Sequence, residues 1–81
     1  MSRQDIRELL TEIIADIAPE IDLRDATGDE HLQETYGLDS MDFLSILAEL
    51  SERTGVDVPE SDYDQVMTLN GLVTYVKRKK T

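Results

Sequence analysis

Cysteine is absent from the 81 residues. This removes disulfide frameworks, thiolate zinc sites and cysteine nucleophiles together, and it suits a reducing compartment. Histidine occurs once, as His31 in a loop, and a lone loop histidine is more often a surface residue than a catalyst. No apolar run approaches the roughly 20 residues that cross a bilayer. The first segment, MSRQDIRELLTEII, carries acids among its apolar residues and lacks a small-residue cleavage site, so it does not read as a signal peptide. A cytoplasmic protein is expected.

Positive charge is also scarce. Eight bases face eighteen acids, for a net charge of −10. Half of the bases are the cluster Lys77, Arg78, Lys79 and Lys80, so residues 1–76 hold four bases against eighteen acids. Such a surface repels phosphate backbones, which argues against nucleic-acid binding. It attracts proteins with basic patches and speeds their encounter. By composition alone the acids need do no more than keep a small protein soluble.

The apolar pattern is helical throughout, with no repeats and no alternation of the kind strands show. In residues 5–17, Ile6, Leu9, Leu10, Ile13, Ile14 and Ile17 share one face, while Arg7, Glu8, Glu12 and Asp16 fall on the other. Pro19 limits this helix. Residues 20–39 form a long loop rich in Asp and Gly, with room for one short turn of helix around Glu30 to Thr35. Loops of that length in small domains are often functional. A second long helix is expected from Ser40 to Thr54, closed by Gly55. Asp39 and Ser40 are both good N-caps, and Asp42 lies in the first turn, where the helix dipole favours an acid. Met41, Leu44, Leu47 and Ala48 make one stripe, widened by Phe43, Ile46 and Leu50, so this helix is central. Pro59 argues against a continuous helix after Gly55. A short helix is expected around Ser61 to Met67, then a last one from Leu69, capped by Thr68, with Leu69, Leu72, Val73 and Val76 inward. The fold class is therefore all-α: one domain over residues 1–81, a small bundle of three main helices plus one short helix.

The residues offer little for catalysis. Ser40 does not sit in a G-x-S-x-G elbow and has no base in view. Asp22, Asp25 and Asp29 do not match an EF-hand loop, so no metal site is expected. No glycine loop cradles phosphate. Two readings of Ser40 stay open. It is an N-cap contributing about 1 kcal/mol, or it is an attachment point, since a phosphodiester is well tolerated where unpaired N–H groups and a partial positive charge meet.

The segment GLDSM, after an amphipathic first helix and a long loop, resembles the phosphopantetheine attachment motif of acyl carrier proteins. The resemblance continues through HLQETYGLDS, the helix MDFLSILAELSERTG, the VDVP link and the closing helix, so it spans nearly the whole chain. It implies that Ser40 accepts 4′-phosphopantetheine from coenzyme A by the action of a separate phosphopantetheinyl transferase. The arm's thiol would then hold acyl groups as thioesters for acyl-loading and acyl-transferring enzymes, and the protein itself would be no enzyme. Asp39, Met41, Asp42, Glu49 and Glu52 would form the face that partners recognise. The acyl pocket would draw on Leu44, Leu47, Leu50, Val58, Tyr63, Val66 and Leu72. A monomer is expected.

Several positions depart from the fatty-acid pattern. Tyr36 stands where a leucine commonly precedes the glycine, and Ser45 and Ser51 stand where many such carriers have Glu. Thr54 replaces a frequent aromatic or apolar residue, and Tyr63 replaces a small one, which would shorten the pocket. These changes point to a specialised carrier. The segments LDSM and VDVPESDYD also resemble carriers used in D-alanylation of cell-wall polymers, so an aminoacyl carrier is the alternative. An acidic helical adaptor without a prosthetic group is the alternative of another class.

Overall fold

A computed structural model describes residues 1–80. Helix α1 runs Arg3–Ile17, α2 Leu32–Tyr36, α3 Ser40–Thr54 and α4 Leu69–Lys80, with a 3-10 helix at Glu60–Gln65 before α4. The three long helices are those the apolar periodicity marks. The short helix expected at Ser61–Met67 is the 3-10 segment, and the turn expected near Glu30–Thr35 is α2.

Helix α1 begins three residues before the apolar stripe does. Ser2 and Asp5 form a reciprocal cap: Asp5 N donates to Ser2 Oγ at 3.1 Å and Ser2 N to Asp5 Oδ2 at 3.4 Å. Two orphan amides are satisfied, so the helix extends to Arg3. Its stripe buries Ile6, Leu10, Ile13 and Ile14 against both α3 and α4. Ile46, Leu50, Val66, Leu69, Leu72 and Val76 complete that core, each 0–1% exposed. Burying side chains of this size contributes about 1.5–3 kcal/mol apiece before chain entropy is set against it.

The long loop is pinned rather than loose. Arg7 Nη2 donates to Ala26 O at 3.0 Å, Asn70 N donates to Gly28 O at 2.9 Å, and Asn70 Nδ2 donates to Asp29 Oδ1 at 2.8 Å. Gly28 is required at this junction. Its φ is +97°, and a Cβ there would stand 2.5 Å from Asn70 Oδ1. His31, the lone histidine, caps α2: Glu34 N donates to its Nδ1 at 3.2 Å. Leu32 N then donates to Met67 O at 2.9 Å, which ties α2 to the approach to α4.

The remaining ends follow local chemistry. Gly55 takes φ +76° and closes α3. Thr54, polar at a core position, is buried but satisfied. Its Oγ1 donates to Leu50 O at 2.7 Å and accepts from Val56 N at 3.1 Å. Thr68 caps α4 by accepting from Gly71 N at 2.9 Å. The 3-10 segment is held to α4 where Tyr75 Oη donates to Asp62 Oδ2 at 2.7 Å. No helix among the described residues is long and apolar enough to cross a membrane.

Candidate functional site

The junction before α3 fixes Ser40 from both sides. Gly37, at φ +71°, turns the chain out of α2, and buried Leu38 and Phe43 anchor the backbone on either side of the serine. The cap of α3 is Asp39 alone: Asp42 N donates to Asp39 Oδ1 at 2.7 Å. Ser40 is the first residue of the helix proper, exposed, and its hydroxyl has no hydrogen-bond partner among the described residues. Of the two caps the sequence allows, the structure uses Asp39. The Ser40 hydroxyl is thereby left without a structural task, over the positive end of a 15-residue helix.

Ser40's surroundings are apolar as well as acidic. Met41 is 78% exposed and Leu44 47%, unusually open for such side chains. Asp39 is exposed and Asp42 half-exposed beside them. Glu52 is exposed, but Glu49 is engaged: Arg53 Nε donates to its Oε1 at 2.8 Å. The same guanidinium reaches Glu12 at 3.5 Å and Asp16 at 3.8 Å on α1. The acidic face thus continues from α3 onto α1 through one arginine. Sequence reading missed Glu12 and Asp16 as neighbours of Glu49, because spacing along one helix carries no information about the next.

The residues expected to form an acyl pocket divide in two. Leu44, Leu47 and Ala48 of α3 line an open surface depression with Val58 and Tyr63. Ser51 and Asp57 line it too, and Ser51 Oγ donates to an Asp57 carboxylate oxygen. Tyr63 is half-buried and sets its ring edge-on to Phe43, centroids 5.6 Å apart at 87°. Leu50, Val66 and Leu72 line no part of this depression; they are fully buried in the core. Helical spacing places all of them on an apolar arc but cannot say which part of that arc meets α1 and α4.

A phosphopantetheine-attachment-site profile matches residues 8–76, which covers the serine, its helix and the core around them. The chain belongs to the phosphopantetheine-binding acyl carrier family. It is 28% identical to an acyl carrier protein of Rubrobacter xylanophilus, over all of this chain and 99% of that one. An acyl carrier protein of Lactobacillus johnsonii is 31% identical over 79% of this chain and 84% of its own length. A D-alanyl carrier protein of Latilactobacillus sakei is 38% identical over 75% of this chain and 77% of its own. No solved structure matches. The acyl carrier role and the helical fold that the family resemblance implied both stand. Membership also implies a phosphopantetheine prosthetic group and partner enzymes to act on what it carries.

Proposed function

We propose that Ser40 is the residue that carries 4′-phosphopantetheine, and that this single-domain chain delivers acyl groups between enzymes without being one itself. The observation that carries the reading is the division of labour at the start of α3: Asp39 caps the helix, and Ser40 Oγ faces solvent unpartnered. The residues fit a phosphodiester there. The amides of the first helical turn and the helix dipole offset its negative charge, and Leu38 and Phe43 hold the serine at a fixed place on the surface.

When bound, the group supplies the thiol that the chain lacks. The chain's own residues position it and present it. Asp39, Asp42 and Glu52 offer negative charge to basic patches on a phosphopantetheinyl transferase and on loading and transfer enzymes, while Met41 and Leu44 offer apolar contact at the centre. Charge of this kind speeds encounter and is screened by salt, which suits brief contacts with several partners. The reading places the protein in the cytoplasm as a monomer, where coenzyme A and the transferase meet it.

Mass spectrometry tests the attachment. After incubation with coenzyme A and a broad-specificity transferase, the chain gains one phosphopantetheine and Ser40→Ala gains none. An unmodified wild-type chain, or an adduct that persists in Ser40→Ala, overturns the assignment. A second reading, an aminoacyl carrier, is favoured by the 38% identity to the D-alanyl carrier protein. Loading assays with acyl donors and with amino-acid adenylating enzymes, followed by weighing the product, separate the two.

A further inference from the structure

Ser40 and the polar end of the depression lie on one face of α3. At 100° per residue, the eleven residues from Ser40 to Ser51 turn about 20° beyond three full turns and advance about 16 Å. Leu44, Leu47 and Ala48 fall between them on the same face. Ser51 and Asp57 end this track, their hydroxyl and carboxylate hydrogen-bonded to one another. Asp57 is exposed and has no ion-pair partner among the described residues.

Resting on the attachment of the arm at Ser40 and on the second, aminoacyl reading, we infer that the Asp57 carboxylate, held by Ser51, is a binding site for the ammonium group of an aminoacyl cargo. Reach, polarity and charge agree. A phosphopantetheine arm has 14 bonds from the serine oxygen to its sulfur. At about 1.2 Å per bond, the advance of an extended peptide, it spans roughly 17 Å. The α-amine of an aminoacyl thioester lies three bonds further, at roughly 20 Å, enough to reach the residues beside Ser51. Along the way the depression offers apolar contact; at its end it offers an anion. An alkyl chain following the same track would meet a carboxylate and displace its water, which is costly. An ammonium instead gains a charge partner that the fold otherwise leaves unpaired.

The test compares two cargoes of matched shape. Amide-linked alanyl and propionyl analogues of coenzyme A, stable to hydrolysis, are loaded onto the full-length chain by a transferase. Amide resonances are then recorded by nitrogen-15 correlation spectroscopy. The amine is the only distinction, and an exposed ion pair enriches the docked population by up to roughly fivefold. Larger shifts at Ser51, Asp57 and Val58 are therefore expected for alanyl than for propionyl. The difference is lost in Asp57→Asn and in about 0.5 M salt, where the screening length falls to roughly 4 Å. Equal shifts from both cargoes, or a difference that survives Asp57→Asn, overturn the inference and leave attachment at Ser40 intact. If the mass shows that neither analogue was transferred, the attachment reading fails and takes the inference with it.

Discussion

Replacing Asp39 and Ser40 one at a time separates the helix cap from the tether. Asp39 accepts the Asp42 amide at 2.7 Å, so Asp39→Ala orphans that donor. Removing a cap of this kind costs about 1 kcal/mol, and in a domain of this size that lowers Tm by about 4–8 °C. Asp39→Asn keeps a side-chain oxygen in place and removes only the charge. The loss of its interaction with the helix dipole, about 0.3–1 kcal/mol, is opposed by relief of repulsion in a chain of net charge −10. A smaller change than in Asp39→Ala is therefore expected. Ser40→Ala removes a hydroxyl with no partner and introduces the best helix former, so stability stays within about 0.5 kcal/mol. Urea unfolding followed by circular dichroism measures all three, and mass spectrometry after transferase treatment scores modification. The expected pattern is a stable, unmodifiable Ser40→Ala and a destabilised Asp39→Ala that still carries an arm. A Ser40→Ala protein that loses more than about 1 kcal/mol while Asp39→Ala is silent would refute the division of labour between the two residues.

Three further outcomes are open to measurement. Asp42→Lys should slow modification of Ser40 at low salt, with the deficit shrinking as ionic strength rises; an unchanged initial rate at low salt counts against the acidic face as the docking surface. Gly71→Ala should destabilise the fold by about 1–2 kcal/mol although alanine is the better helix former, because a Cβ there would stand 2.5 Å from the Gln65 carbonyl oxygen; a gain in denaturant midpoint would show that the 3-10 segment yields freely. The Tyr75 phenol is held above its ordinary pKa, chiefly by donating to Asp62 and secondarily by desolvation. A pKa raised by folding means this contribution is whole below about pH 10 and fades as pH rises through the raised value. The alkaline loss of stability should be smaller in Tyr75→Phe, and an identical pH profile would remove the hydrogen bond as its cause.

The three long helices were legible because each carries its own apolar stripe. Their ends were legible where one residue type has one use: Gly55 at a left-handed position, Thr68 as a cap, Pro59 as an interruption. Capping at Ser2 was legible but missed: Ser2 and Asp5, three apart and directly before the apolar stripe that begins at Ile6, are the signature of a reciprocal cap. At Asp39-Ser40 two adjacent residues were equally able to cap, and sequence had no means of choosing. Geometry chose: the residue with extended backbone, φ −82° and ψ 171°, can turn its side chain back onto the amide of Asp42, and that residue is Asp39.

Sequence by itself determined the helices, the acidic charge and the serine at a helix start, since these follow from spacing within one segment and from residue identity. Tertiary structure decided what those residues face. It joined Glu12 and Asp16 to Glu49 through Arg53, sent Leu50, Val66 and Leu72 into the core while leaving Leu44 open, and brought Asp57 to Ser51 at the end of the apolar track. Helical periodicity records which residues share a side of one cylinder. Which part of that side is covered depends on how the neighbouring cylinders pack, and packing is a property of the whole chain.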